Sequence, residues 1–184
     1  MSDELVIRHC APTMANIKTA NLFSCTFSSR EEMIEEIRKL NLRLRDKGIR
    51  VLALQYIEGR GLIYVYRPKR LSVDLKNCLA CSLLKDCGYP CSDQNTCLRH
   101  LIRRLESGGE FPHEIGLFLG YPPEDVDGFI NNPKNCKFCG TWKVYGDVEA
   151  AKNCFAKYRK CTDLYQKQWN CGKSIERLTV TVGN

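Results

Sequence analysis

Residues 28–66 read SSREEMIEEIRKLNLRLRDKGIRVLALQYIEGRGLIYVY, and two periodicities meet inside them. Met33, Ile37, Leu40 and Leu44 recur at helical spacing, Ser28 and Ser29 precede Glu31 and Glu32 at the spacing of a capping box, and Gly48 closes the stripe. This predicts a helix over 30–47. Residues 49–57 and 62–66 are apolar, branched and aromatic runs joined by Glu58-Gly59-Arg60-Gly61, which predicts an antiparallel hairpin with a glycine-bearing turn. A helix beside a hairpin assigns the chain to the α/β or α+β class, with a mixed sheet, an antiparallel hairpin and flanking helices.

Towards the N-terminus, Leu5-Val6-Ile7 is short and branched and reads as a strand. Pro12 fits the first turn of a helix running towards Ala20, and residues 22–27 alternate like a second strand. Towards the C-terminus, Ser72 caps a predicted helix through Leu84, residues 87–91 are loop-like, and Asp93 starts a helix to Leu105. Ser107-Gly108-Gly109 breaks the chain before the apolar stretch 115–121, and Pro122-Pro123-Glu124-Asp125 opens a short helix. Residues 142–145 read as a short strand, Asp147 caps a helix of about five turns ending near Gly172, and residues 175–182 alternate as a last strand.

The 184 residues, 43% of them hydrophobic, suffice for one core, so residues 1–184 are expected to form a single α/β domain with a cysteine-rich, metal-binding segment at about 76–100. No apolar run reaches the ~18 residues of a membrane span, and the start, MSDELVIRHC, lacks the basic and apolar regions of an export signal. The expectation is a cytoplasmic protein that does not engage membranes. The net charge of +7 is uneven: residues 105–133 hold six acids and no Lys or Arg, whereas 134–177 hold ten Lys or Arg against four acids. A basic surface suits an acidic protein, and nucleic acid is disfavoured because no binding signature accompanies the charge.

Twelve cysteines are far above ordinary usage yet fewer than in a disulfide scaffold. In a reducing compartment they point to metal binding, catalysis or burial. The sharpest pattern is Cys78-x2-Cys81-x5-Cys87-x3-Cys91, followed by Cys97 as a fifth candidate. Cys78 and Cys81 lie one helical turn apart, and Gly88 lets the chain bend close to a site. Four thiolates suit an iron–sulfur cluster of the 4Fe–4S type or, with His100 one turn from Cys97, tetrahedral zinc. Cys136-x2-Cys139 is a second pair with metal-knuckle spacing, equally readable as a redox dithiol. Cys154 and Cys161, sharing a helical face with Tyr158 and Tyr165, read as core.

His9-Cys10 is the candidate catalytic pair, since a cysteine just before a helix has its thiolate favoured by the amide dipoles and a histidine serves as base, with a metal or cofactor ligand and a structural turn as the alternative readings. His113-Glu114 is either an acid/base pair or a buried, hydrogen-bonded histidine. Lys18 and Arg67 read as solvated surface charges. No phosphate-binding glycine motif is present.

The segments His9-Cys10-Ala11-Pro12-Thr13, Phe111 to Val126 (FPHEIGLFLGYPPEDV) and Trp142 to Asp147 (WKVYGD) resemble an uncharacterised bacterial family, a domain of unknown function found mainly in clostridia and related anaerobes. The resemblance covers nearly the whole chain and implies an anaerobic, cytoplasmic setting with a flavodoxin-like partner. It implies no reaction. Locally, residues 78–91 are similar to the auxiliary-cluster segment of radical SAM enzymes of the SPASM type, which implies iron–sulfur ligation without radical chemistry. Three functions follow as expectations: an iron–sulfur or other metal-binding protein in anaerobic electron transfer or redox sensing; a thiol-dependent enzyme using Cys10 and His9 beside a structural zinc site; and a basic adaptor for an acidic protein. Oligomeric state is open.

Overall fold

The computed structural model describes residues 1–90 and 93–181. The chain divides into two units, Met1–Lys69 with Tyr158–Asn184, and Arg70–Lys157.

The first unit is built on a three-stranded antiparallel sheet of β1 (Ala20–Thr26), β2 (Arg50–Ile57) and β3 (Arg60–Tyr66) in the order β1-β3-β2. Register runs from Ala20 opposite Tyr66 to Thr26 opposite Arg60, and from Arg50 opposite Tyr66 to Ile57 opposite Arg60, with a bulge between Ala53 and Gln55. The β2–β3 turn places both Glu58 (φ 47°) and Gly59 (φ 77°) in the left-handed region, the type I′ pattern whose twist matches a hairpin. The predicted hairpin therefore stands, while the expected mixed sheet is antiparallel in both pairings.

The predicted helix forms as α2 (Arg30–Leu44) followed by a 3-10 turn (Arg45–Lys47) and Gly48 at φ 78°. The Ser29 hydroxyl accepts from the Glu32 amide at 3.1 Å, and the Glu32 carboxylate accepts from the Ser28 amide at 2.6 Å. Met33, Leu40 and Leu44 are buried, with Ile37 packed against the same cluster.

Two terminal segments differ from expectation. Residues 5–7 belong to a helix, α1 (Asp3–Met14), capped by Ser2, with Pro12 in its last turn instead of its first. The branched triplet looks strand-like alone, but Val6, Ile7, Cys10 and Met14 together make a helical stripe, and all four enter the core with Phe23, Val51, Ile63 and Val65. The Pro12 carbonyl accepts from Ile17 and Lys18 at 3.0 and 3.1 Å, closing the helix. At the other end, Ile175–Leu178 is one helical turn, not a strand; Ile175 and Leu178, three apart, are both buried in this core.

Arg67 and Lys18 are also corrected, because neither is a surface charge. Arg67 is 2% exposed, and its guanidinium donates to the carbonyls of Thr13 (2.7 Å), Met14 (2.7 Å), Lys47 (3.1 Å) and Val180 (2.8 Å). Each acceptor lies at or near the end of an element, where carbonyls have no helical partner. Lys18 is likewise buried, 5.9 Å above the Tyr158 ring.

The second unit is mainly helical: α3 (Pro68–Asp74, beginning just before the boundary), α4 (Cys78–Asp86), α5 (Gln94–Glu106), α6 (Ile115–Phe118), α7 (Pro123–Asn131), the two-stranded pair β4 (Phe138–Cys139) and β5 (Lys143–Val144), and the first turns of α8 (Val148–Asn170). The helix expected from Ser72 to Leu84 is split, because the Asn77 side chain accepts from the amides of Leu79 (2.9 Å) and Ala80 (3.2 Å) and starts α4 anew. Asp93 caps α5 as predicted. Among the described residues no helix is long and apolar enough to cross a membrane.

Candidate functional site

The cysteine-rich segment spans α4, a loop and the first turn of α5. Cys78 is the first residue of α4 and is exposed; Cys81, one turn on, is half-buried and donates to the Leu75 carbonyl at 3.0 Å. Cys87 caps the end of α4. Gly88 then adopts φ 81°, donating to the Lys85 carbonyl, while the Tyr89 amide returns to the Leu84 carbonyl at 2.8 Å, so the chain reverses there as the glycine predicts. Cys97 is buried in the first turn of α5, 3.4 Å from the Pro90 carbonyl. Cys91 lies outside the described residues.

Cys81 and Cys97, from different helices, wall one cavity of about 400 Å³ together with Leu75, Lys76, Leu84 and Asp93. Cys78 and Cys87 are not among its walls, so Cys78 and Cys81, one turn apart on α4, meet different surroundings. Among the described residues, no group of three His, Cys, Asp or Glu side chains is gathered so as to hold a metal ion.

The loop is fastened by a buried polar cluster that sequence reasoning missed. The Tyr89 hydroxyl donates to Glu114 Oε1 at 2.7 Å, and Arg104 Nη1 meets the same oxygen at 3.2 Å while donating to the Cys87 carbonyl at 2.9 Å. The His100 and Phe118 rings pack on Tyr89 at 4.4 and 5.7 Å. Glu114 is 2% exposed. Burial, then the hydrogen bond to Glu114, pushes the Tyr89 hydroxyl well above its ordinary range, and burial together with the Glu114 charge raises the Cys87 thiol. The available signal was Glu114 placed directly before a buried apolar run. His100 is thus engaged with Tyr89 and is not a wall of the Cys97 cavity.

His113 and Glu114 do not act as a pair. Glu114 turns to Tyr89 and Arg104, whereas His113 is exposed, meets Glu110 at 3.5 Å and lies edge-on to the Phe129 ring at 4.8 Å.

Cys136 is half-buried with its thiol on the Phe138 carbonyl at 3.2 Å, and Cys139 is exposed at the end of β4. This small hairpin is held by Asp125, another residue the sequence reading passed over. Asp125 is 3% exposed and accepts from the Trp142 indole (2.7 Å) and from the amides of Tyr145 (2.7 Å) and Gly146 (2.8 Å). Cys154 and Cys161 are half-buried, and burial pushes the Cys161 thiol up to about 11. Cys171 is exposed.

Cys10 sits in the interior of α1, which starts at Asp3, so it does not precede a helix and has no free amides before it. It is fully buried, and that burial pushes its thiol far above the ordinary value, the direction opposite to activation. His9 is exposed and stacked on Phe23 at 5.1 Å, its pKa lowered by burial and by Arg8. The two neighbours therefore occupy different environments.

A family model described as a protein of unknown function (DUF3793) matches residues 6–179. No curated protein and no solved structure matches the chain.

Proposed function

The chain belongs to the DUF3793 family, and on that premise we propose that it is a metal-binding protein of anaerobic redox metabolism whose cysteines hold an iron–sulfur cluster of the 4Fe–4S type, with zinc as the alternative occupant. The observation that carries this reading is the meeting of Cys81 and Cys97, from two helices, at one cavity of about 400 Å³. Pro90, whose carbonyl the Cys97 thiol reaches, and Asp93, which walls the cavity, flank the stretch that contains Cys91. Cys91 is thus the third ligand in this proposal, and Cys78, one turn before Cys81, the fourth.

The donor chemistry fits, since thiolates are the ligands of iron–sulfur clusters and of structural zinc. Lys76 in the wall offsets part of their negative charge. Because the described side chains do not already gather three ligands, loading has to bring Cys78, at the start of α4, to Cys81 and Cys97, so that metal binding contributes to folding. A bound cluster supplies one-electron transfer. Cys136 and Cys139 remain a separate dithiol pair on the β4–β5 hairpin.

On this reading the protein passes electrons or senses redox state in the cytoplasm of an anaerobe, with a flavodoxin-like or other acidic redox protein as partner. The ten Lys or Arg among residues 134–177 supply the complementary charge. The SPASM-like spacing of residues 78–91 supports iron–sulfur over zinc. Metal content of anaerobically purified variants tests the ligand set. Cys81→Ser and Cys97→Ser lower bound metal, whereas Cys154→Ser does not; full metal retention by both of the first two overturns the assignment.

A further inference from the structure

A second cavity in the Arg70–Lys157 unit, of about 210 Å³, is formed where the stretch 111–129 meets 141–143. Its floor is Ile115, Gly116 and Val126, all buried; its walls are the rings of Tyr121, Phe129 and Trp142. Tyr121 and Trp142 are stacked at 4.6 Å, and Trp142 is braced edge-on by Phe155 at 4.5 Å and by its hydrogen bond to Asp125. The aromatic walls are therefore held in place before any ligand arrives, which lowers the cost of binding. A Cβ on Gly116 would come within 2.8 Å of Val126 and 3.2 Å of Tyr121, so this glycine keeps the floor open.

Size and charge restrict the occupant. A cavity of roughly 150 Å³ takes benzene, and drug-sized sites begin near ~300 Å³. The space here suits one substituted ring or two fused rings. At the mouth, the exposed Lys143 lays its ammonium 5.2 Å from the Phe129 ring, and no carboxylate among the described residues pairs with it. Asp125 also borders the cavity, but its two oxygens already accept three N–H groups, which offset its charge. A cationic ligand would have to displace Lys143 from Phe129 and face its charge; an acidic one meets Lys143 as a partner.

We propose that this cavity binds a small flat aromatic or heteroaromatic acid, its ring against Phe129 and Trp142 and its acidic group on Lys143. The site is independent of the cysteine cavity. The probe is naphthalene-2-carboxylate, compared with its cationic isostere naphthalen-2-ylmethylammonium, titrated into the full chain by calorimetry and by indole N–H resonances. Trp142 and Trp169 are the two tryptophans, so Trp169→Phe assigns the signals. The carboxylate is expected to bind about tenfold more tightly than the cation, the worth of one charge-assisted contact. It shifts the Trp142 resonance and leaves that of Trp169 in place, and Lys143→Met abolishes the preference. Equal binding of the two isosteres, tighter binding of the cation, or a Trp142 resonance unmoved at millimolar carboxylate overturns the proposal.

Discussion

Removing the Asp125 carboxylate should loosen the hairpin that carries Cys139, Trp142 and Lys143. In Asp125→Ala three donors lose their acceptor: the buried Tyr145 amide, and the Trp142 indole and Gly146 amide, which are partly accessible to water. A stranded buried donor costs about 2 kcal/mol, and one that water can reach about 0.5 to 1 kcal/mol, which sums to about 3 to 4 kcal/mol. That is a large share of the ~5 to 15 kcal/mol that holds an ordinary domain together. Asp125→Asn is the control. Its remaining oxygen can still accept both backbone amides, while its NH2 opposes the indole N–H, so the expected loss is about 1 to 2 kcal/mol. Urea unfolding of both variants in a Trp169→Phe background, followed by Trp142 fluorescence and by circular dichroism, reads the two costs. A loss below about 1 kcal/mol for Asp125→Ala, or a loss for Asp125→Asn as large as for Asp125→Ala, would refute the reasoning.

Other perturbations address the first unit. Arg67→Met withdraws the donor shared by the carbonyls of Thr13, Met14, Lys47 and Val180; chemical denaturation should show a loss of about 3 kcal/mol, and limited proteolysis should cut first in the segment beyond Gly172, as Val180 keeps only the hydrogen bond from its amide to the Met14 carbonyl. Glu58→Asn places a residue that tolerates the left-handed region at φ 47° beside Gly59, and should raise stability by about 0.5 kcal/mol in the same assay, with unchanged stability counting against the turn assignment. Glu176 has its pKa lowered from 4.5 to about 2, chiefly by its hydrogen bond to Arg43 at 2.5 Å. A depressed carboxylate contributes stability above its unfolded value and loses it as the pH falls. The advantage of wild type over Glu176→Gln should therefore be constant above about pH 5 and shrink from pH 4.5 towards 2 in a pH series of thermal melts.

What could be read from sequence followed how local each determinant is. The α2 helix, the β2–β3 hairpin and the Asp93-capped α5 are specified by neighbours a few residues apart, and they form where their caps and glycines place them. Leu5-Val6-Ile7 misleads because three branched residues suit a strand until Cys10 and Met14, further along, are counted into the same helical face. Arg67 was unreadable for another reason: its burial depends on carbonyls at Thr13, Met14, Lys47 and Val180, which only the assembled fold brings together. The same applies to the candidate site. The spacing of Cys78 and Cys81 marks a ligand-like pair, yet it is α4 against α5 that sets Cys81 and Cys97 at one cavity and leaves Cys78 exposed. Asp125 is visible in sequence as an acid in the first turn of a helix, but its partners at 142–146 are not.

The proposed metal site is tested most directly by purifying the full chain without oxygen and measuring its absorption together with iron and acid-labile sulfide per chain. The account predicts brown protein with broad absorption near ~400 nm, iron and sulfide close to equal and about four of each per chain, both lost in the Cys81→Ser, Cys97→Ser double variant. Colourless protein carrying one zinc per chain would contradict the iron–sulfur assignment, and protein carrying neither iron nor zinc would contradict the metal site itself.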